Sequence, residues 1–222
     1  MFMKRLMVIG ALMVMPLGCV ANQGDAALRF LNVRALKIEE GCTAASDKFI
    51  TSGSLDLAGG QNYLMAPSVE TNTSSTNNAS SQGLDVTLTE LIYSYSVSQA
   101  GIKMPADEVD RVPLYAVYRA DTTPDASYLF MHAFGPKGFK VLVDAANAGA
   151  IGTEPVTVLA TIKGRGYLSS GQTVESNEFT FPVFVYKSTD TPPTSCPEGF
   201  VLNGACGISG QDGTVGCVKA GP

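Results

Sequence analysis

His132 is the only histidine in the chain, which narrows the chemistry at once. A Ser-His-Asp triad would have to pass through it, and a zinc site of several imidazoles has no ligands to draw on. It lies in Ser127–Phe134 (SYLFMHAF), a β-like run where a structural or surface role is expected. No Gly-x-Ser-x-Gly nucleophile elbow and no phosphate loop occurs. The cysteines Cys196, Cys206 and Cys217 are too widely spaced for the close pairs usual in zinc sites, so disulfides are expected. Asp107, Glu108 and Asp110, with Asp121 and Asp125 in the next turn, could meet at one end of a β domain and hold calcium. They lack an ordered calcium-loop spacing, and solvated loop charge is the expected role. A glycosidase needs only two carboxylates, and nothing in the sequence pairs two of them. Tyr93, Tyr95, Tyr115 and Tyr118 could line a binding face, although cross-strand packing accounts for them. The residues therefore predict no catalytic group, no cofactor and no metal.

Where the chain is sent is written at its start. Lys4 and Arg5 precede an uncharged apolar run from Leu6 to Met15, closed by Pro16-Leu17-Gly18-Cys19. The run is too short to span a bilayer, which takes about 20 apolar residues. It has the layout of an export signal, predicting a removed leader over residues 1–18. Gly18-Cys19 resembles the core of the bacterial lipoprotein signal, in which the cysteine becomes the acylated first residue, although Pro16 stands where that pattern favours an apolar residue such as Leu. The resemblance implies a lipid anchor on Cys19. Val20 in place of Asp implies the outer membrane, facing the periplasm or the outside. Cys19-Val20-Ala21 also offers small residues for ordinary cleavage after Ala21, which would leave a soluble exported protein.

Cysteine parity adds an independent argument. Five cysteines are present, and loss or acylation of Cys19 leaves Cys42, Cys196, Cys206 and Cys217, which can pair completely in an oxidising compartment. The last three all lie in the tail, so complete pairing requires Cys42 to join one of them. One bridge should be local and one long-range. The connectivity stays open, as does the alternative that Cys42 is a free core thiol.

Composition points the same way. Charged residues are 16 % of the chain, with 23 glycines and no tryptophan. That balance suits an extracytoplasmic β-protein rather than a helical cytosolic enzyme. The net charge is −5, and removal of the leader with Lys4 and Arg5 makes it two charges more negative. Without a basic cluster, binding to nucleic acid or anionic lipid is not expected.

The elements that must position these side chains read almost entirely as strands. Phe49–Leu57 and Leu84–Ser98 alternate, the second with a change of phase near Leu91-Ile92 that predicts a bulge, and Leu28–Ile38 alternates at first, its later half fitting a strand or a helical turn equally. Pro67 makes Asn62–Val69 an edge strand or the start of a loop. Glu70–Gly83 is small and polar and reads as a surface loop, and Gly101–Pro113 as another. Pro113–Ala120, Ser127–Phe134 and Phe139–Asp144 are β-like, and only Ala145–Ala150 reads as a short helix. Pro155–Ile162 and Thr173–Tyr186 frame Gly164-Arg165-Gly166 and Ser169–Gln172 as a long hairpin, with Phe179, Phe181, Val183 and Val185 on one face. About nine such runs imply an all-β protein, an antiparallel β-sandwich of immunoglobulin-like or jelly-roll-like type, with a closed barrel as the alternative. The expected organisation is a leader (1–18), anchor and tether (19–27), sandwich (28–188), and a Pro linker with a Cys-rich tail (189–222) packed on the sandwich.

In its order of features the chain resembles a group of uncharacterised predicted lipoproteins of myxobacterial type. The likeness rests on a signal ending at Cys19, Thr-Ser-Gly-Ser-Leu-Asp-Leu at 51–57, Tyr-Leu-Met-Ala-Pro at 63–67, and Glu-Phe-Thr-Phe-Pro-Val at 178–183 before a cysteine-rich end. It implies an extracytoplasmic lipoprotein and carries no activity. The expectation is a non-catalytic binding or structural module at the cell envelope, attached through its lipid and meeting an envelope protein or surface ligand. The alternatives are a carboxylate-based carbohydrate-active hydrolase and a calcium-dependent adhesin.

Overall fold

Residues whose apolar side chains recur at every second position form two facing sheets, because that period turns one face of each strand inward. The computed structural model describes residues 26–37, 42–73, 84–190, 193, 195–203, 206, 208–213 and 216–219. The expected leader, Cys19, most of the tether, the polar stretch 74–83 and half of the Pro linker lie outside the described residues. One sheet has the order β2 (Thr43–Ile50), β1 (Leu28–Lys37), β4 (Leu64–Thr71), β7 (Met131–His132). The larger has the order β3 (Gly53–Asp56), β10 (Phe179–Tyr186), β8 (Val156–Leu168), β5 (Val86–Val97), β6 (Asp110–Tyr118), with β9 (Thr173–Glu175) also paired to β8. A helix, α1 (Pro136–Asn147), and a small hairpin, β11 (Phe200–Asn203) with β12 (Gly216–Lys219), complete the molecule. The fold is an all-β, sandwich-like one. Its larger sheet is mixed, because β3 runs parallel to β10 while the other pairs are antiparallel.

The core lies between the sheets. Phe181, Val183 and Val185 of β10 meet Val158, Ala160 and Ile162 of β8, and Leu28, Phe30, Met65 and Val69 close over them from the smaller sheet. Burying each such large side chain contributes roughly 1.5–3 kcal/mol. The phase change expected in the longest strand is present as a bulge between Leu88 and Glu90, a little before Leu91. A similar shift between Phe30 and Val33 in β1 explains why simple alternation fails there.

Several local expectations are corrected. Phe139–Asp144 is helical, part of α1. Pro136 stands at the helix start, where a missing N–H costs nothing, and Phe139, Leu142, Val143 and Ala146 make an inward stripe of helical period. Phe49–Leu57 is not one strand: β2 ends at Ile50 and β3 begins at Gly53 in the other sheet. Gly164–Gly166 continues β8 rather than turning, paired with Leu91 and Leu88 of β5, and its glycine at 166 leaves room for the Thr87 carbonyl beside the bulge. The loop expected over Gly101–Pro113 ends early, since β6 starts at Asp110. Within Ser127–Phe134 only Met131–His132 is regular strand.

Pro67 lies inside the smaller sheet, not at its edge. Leu64 and Met65 pair with His132 and Met131, and Ser68 bridges Tyr128 in the same register. Leu129 N donates to Pro67 O at 3.0 Å. The proline has no N–H to return, and the regular ladder is interrupted at that point.

Candidate functional site

All four cysteines after Cys19 are joined, as Cys42–Cys206 and Cys196–Cys217. The first bridge spans a sequence separation of 164 and the second one of 21. The long-range and local pair expected from parity is present, with the connectivity now resolved. The bridged tail adds a strand-like segment to the free edge of β3. Asp56 N donates to Gly210 O at 2.7 Å, Asp212 N donates to Ser54 O at 2.9 Å, and Gln211 bridges Leu55. Gln211 also reaches the other sheet, its amide exchanging hydrogen bonds with the backbone of Leu64 at 2.8 Å in each direction. The Asp212 carboxylate accepts from Tyr63 Oη at 2.9 Å and from Ser54 N at 2.9 Å. Burial, followed by the nearby Asp212 charge, pushes the Tyr63 phenol far up, so it stays a donor.

The five carboxylates considered for calcium are dispersed. Asp121 and Asp125 lie on the segment that runs along β4, where Thr71 N donates to Thr122 O and Val69 N to Ser127 O, each at 3.0 Å. Glu108 and Asp110 belong to the approach to β6, in the opposite sheet. Among the described residues, no three His, Cys, Asp or Glu side chains gather as metal ligands. Asp110 has a different task. It is 1 % exposed, and its carboxylate accepts from Gly138 N at 2.6 Å, Lys137 N at 3.2 Å and Tyr95 Oη at 2.8 Å. It therefore satisfies the N-terminus of α1, whose N-cap Gly135 offers no side chain. A side chain on Gly138 would meet the Tyr95 ring at about 2.5 Å, so the helix approaches this closely only because that residue is glycine.

The tyrosines do not share a face. Tyr93 and Tyr95 point inward and stack at 6.2 Å. Tyr118 is buried, its phenol pushed up to about 12 by desolvation, whereas Tyr115 is 75 % exposed on the outer face. Also on that outer face, six alternating charges close a ring. Arg165 joins Glu90 at 3.1 Å and Glu175 at 2.8 Å, Lys163 joins Glu175 at 3.2 Å and Glu108 at 2.9 Å, and Arg111 joins Glu108 at 3.8 Å and Glu90 at 3.6 Å. Ile92, paired with both Arg111 and Lys163, is 2 % exposed although it lies outside the apolar core. A shallow polar hollow of about 440 Å³ adjoins the ring, with Asp107, Glu108 and Glu178 on its walls. Lys163 draws Glu108 below the usual carboxylate range, the opposite of what a glycosidic general acid needs.

The better-formed concavity is an apolar cleft of about 240 Å³ at the edge where β6 faces β7. Leu91 and Tyr93 of β5 form its floor, with Val112 and Leu114 of β6 and Pro136 of α1 along one side. Phe130, Met131, His132, Phe134 and Asn62 line the other. His132, expected in a structural or surface position, is exposed at this rim, and partial burial holds its imidazole below the ordinary histidine range. Its backbone carbonyl accepts from Tyr93 Oη at 3.1 Å. The lining offers apolar contact, aromatic faces and neutral hydrogen-bonding groups. No family, curated protein or solved structure compared with the chain matches it.

Sequence reasoning found the cysteines but missed the cleft, the ring and the contact between tail and β3. The ring residues come from β5, β6, β8, β9 and the loop before β6, and no local pattern links them. The helical stripe from Phe139 to Ala146 was the one missed signal present in the sequence.

Proposed function

We propose that the chain is an exported bacterial lipoprotein, anchored in the outer membrane through Cys19, whose β-sandwich is a non-catalytic binding module at the cell envelope. The observation that carries the export part of this reading is the complete pairing of Cys42, Cys196, Cys206 and Cys217, the same four whether Cys19 is acylated or lost, while the anchor rests on the likeness of Gly18-Cys19 to the lipoprotein signal. Two bridges of this kind support an oxidising compartment. The cleft beside His132 supports binding over catalysis, because its lining holds aromatic and aliphatic side chains with no nucleophile set against a base. The resemblance to predicted myxobacterial lipoproteins agrees with this placement.

Intact mass of the protein purified from native membranes, with thiol alkylation under non-reducing conditions, tests the proposal. A chain starting at Cys19 with an added diacyl or triacyl group and no alkylated thiol is the expected result. An unacylated chain starting near Asn22 would remove the anchor from the proposal and leave a secreted protein. Alkylation at Cys42 would overturn the argument from cysteine pairing.

A further inference from the structure

From the cleft between β6 and β7 we infer the class of ligand: a small neutral molecule with one aromatic ring and a hydroxyl donor, of the phenol type. This inference rests on the binding-module reading above and names what that module would hold.

Size sets the first limit. The cleft encloses about 240 Å³. That exceeds the roughly 150 Å³ apolar cavity known to take benzene and falls below the 300 Å³ at which drug-sized pockets begin. One ring with a short substituent fits, and a fused polycyclic molecule or a long acyl chain does not. Charge sets the second limit. None of the ten lining residues is Asp, Glu, Lys or Arg, so an ionised ligand would be desolvated with no opposite charge to meet it. Lining chemistry sets the third. Tyr93, Phe130 and Phe134 offer ring contacts and Met131 a thioether, a set that favours a flat π-system over a flexible aliphatic chain.

The polar end is defined by Asn62. Its Nδ2 donates to Phe134 O at 2.7 Å. Its Oδ1 is buried and has no hydrogen-bond partner among the described residues, an arrangement that leaves a desolvated acceptor waiting for a donor. Asn62 itself lines the cleft and is half-buried, so a ligand hydroxyl seated there would be the donor that this acceptor lacks. His132 stands at the same rim as a second neutral polar group.

The test uses the full oxidised chain and the ring signals of His132, which are unambiguous because no other histidine exists. Phenol, toluene, benzoate and hexanoate are titrated at pH 7 while those signals are followed by NMR. Phenol should shift them saturably with a Kd of about 1 mM, as suits a ligand of so few atoms. Toluene should bind about threefold more weakly, and benzoate and hexanoate at least about tenfold more weakly. Leu114→Trp should fill the cleft and weaken phenol more than about tenfold. Phe130→Ala, at a rim residue 39 % exposed and therefore tolerant of change, should weaken it about threefold and serves if the tryptophan variant does not fold. Saturable binding of benzoate or hexanoate in place of phenol, lost in the Leu114 variant, would overturn the ligand class and leave the binding module standing. Phenol binding that ignores both variants would overturn the site. No shift with any probe would overturn the ligand class and the use of this cleft together.

Discussion

At the β3 edge of the larger sheet the backbone is continued by the tail, through Asp56 N to Gly210 O and Asp212 N to Ser54 O, and two disulfides hold that tail in place. At the β6 edge no such strand follows among the described residues. The sheet ends on a strand containing Pro113, the two sheets part over an apolar cleft, and six charges on the outer face, half-buried to exposed, tie β6 to β5, β8 and β9. One edge is closed by covalent bonds and buried polar contacts, and the other is left open and held by charge. The same start of β4 serves both, since Asn62 lines the cleft while Tyr63 reaches Asp212. An edge sealed in cis is removed from strand pairing with other molecules, and binding is left to the opposite end.

The contrast breaks most sharply at the disulfides. Loss of Cys42–Cys206 in a Cys42→Ser, Cys206→Ser double variant frees a loop with a sequence separation of 164. By chain entropy that costs about 5 kcal/mol, against about 3 kcal/mol for Cys196–Cys217 with its separation of 21. Urea unfolding of the two double-serine variants should rank them in that order. If the Cys42–Cys206 variant unfolds at the wild-type midpoint, the clasped edge is not what stabilises the sandwich.

Asp110 is the corresponding element at the open edge. Asp110→Ala removes the acceptor for Gly138 N, Lys137 N and Tyr95 Oη. A loss of about 3 kcal/mol is expected, from buried donors left unpaired at a helix terminus. Asp110→Asn keeps one acceptor oxygen and should lose less. Both are read from the urea midpoint. Because α1 contributes Pro136 to the cleft, loosening its start should also broaden the His132 signals, an effect the disulfide variants should not produce.

How much of this contrast the sequence shows depends on distance along the chain. The strands of the larger sheet are visible because alternation is local, and parity of the cysteines needs no coordinates. The bulge beside Glu90 is visible as a phase error because it also lies within one strand. Helix α1 hides because Phe139, Val143 and their neighbours carry strand-like composition, so period and residue preference disagree and the period decides. The open edge is invisible for another reason. Its lining runs from Asn62 to Pro136 across three strands, a helix and three connecting segments, and nothing about Leu91 or Leu114 alone distinguishes a cleft wall from a core position.

Tyr63→Phe tests the clasped edge more gently. It removes one hydrogen bond to Asp212, whose carboxylate keeps the bond from Ser54 N. About 1 kcal/mol should be lost, seen as a small fall in the urea midpoint together with faster amide exchange at Ser54 and Asp212. If exchange there is unchanged, the tail is held by its disulfides alone and the polar contacts add nothing.

The smallest effect expected is that of acid on the ring. Lys163 and Arg165 hold Glu108 and Glu175 below the ordinary carboxylate range. Groups whose folded pKa is depressed contribute stability that is full above the unfolded value, about 4.3 for Glu, and is lost as pH falls through the folded one. The pairs are partly exposed and screened by salt, so Glu175→Gln should change stability by well under about 1 kcal/mol. The comparison is sharpened by location rather than size. Lowering the pH from 6 towards 3 should lower the amide protection factors, taken against the intrinsic exchange rate at each pH, along 111–117 of β6 before those along 53–56 of β3, and added salt should do the same at constant pH. Equal response of the two edges would mean that the ring does not hold β6, and that the open edge owes its order to the core beneath Ile92.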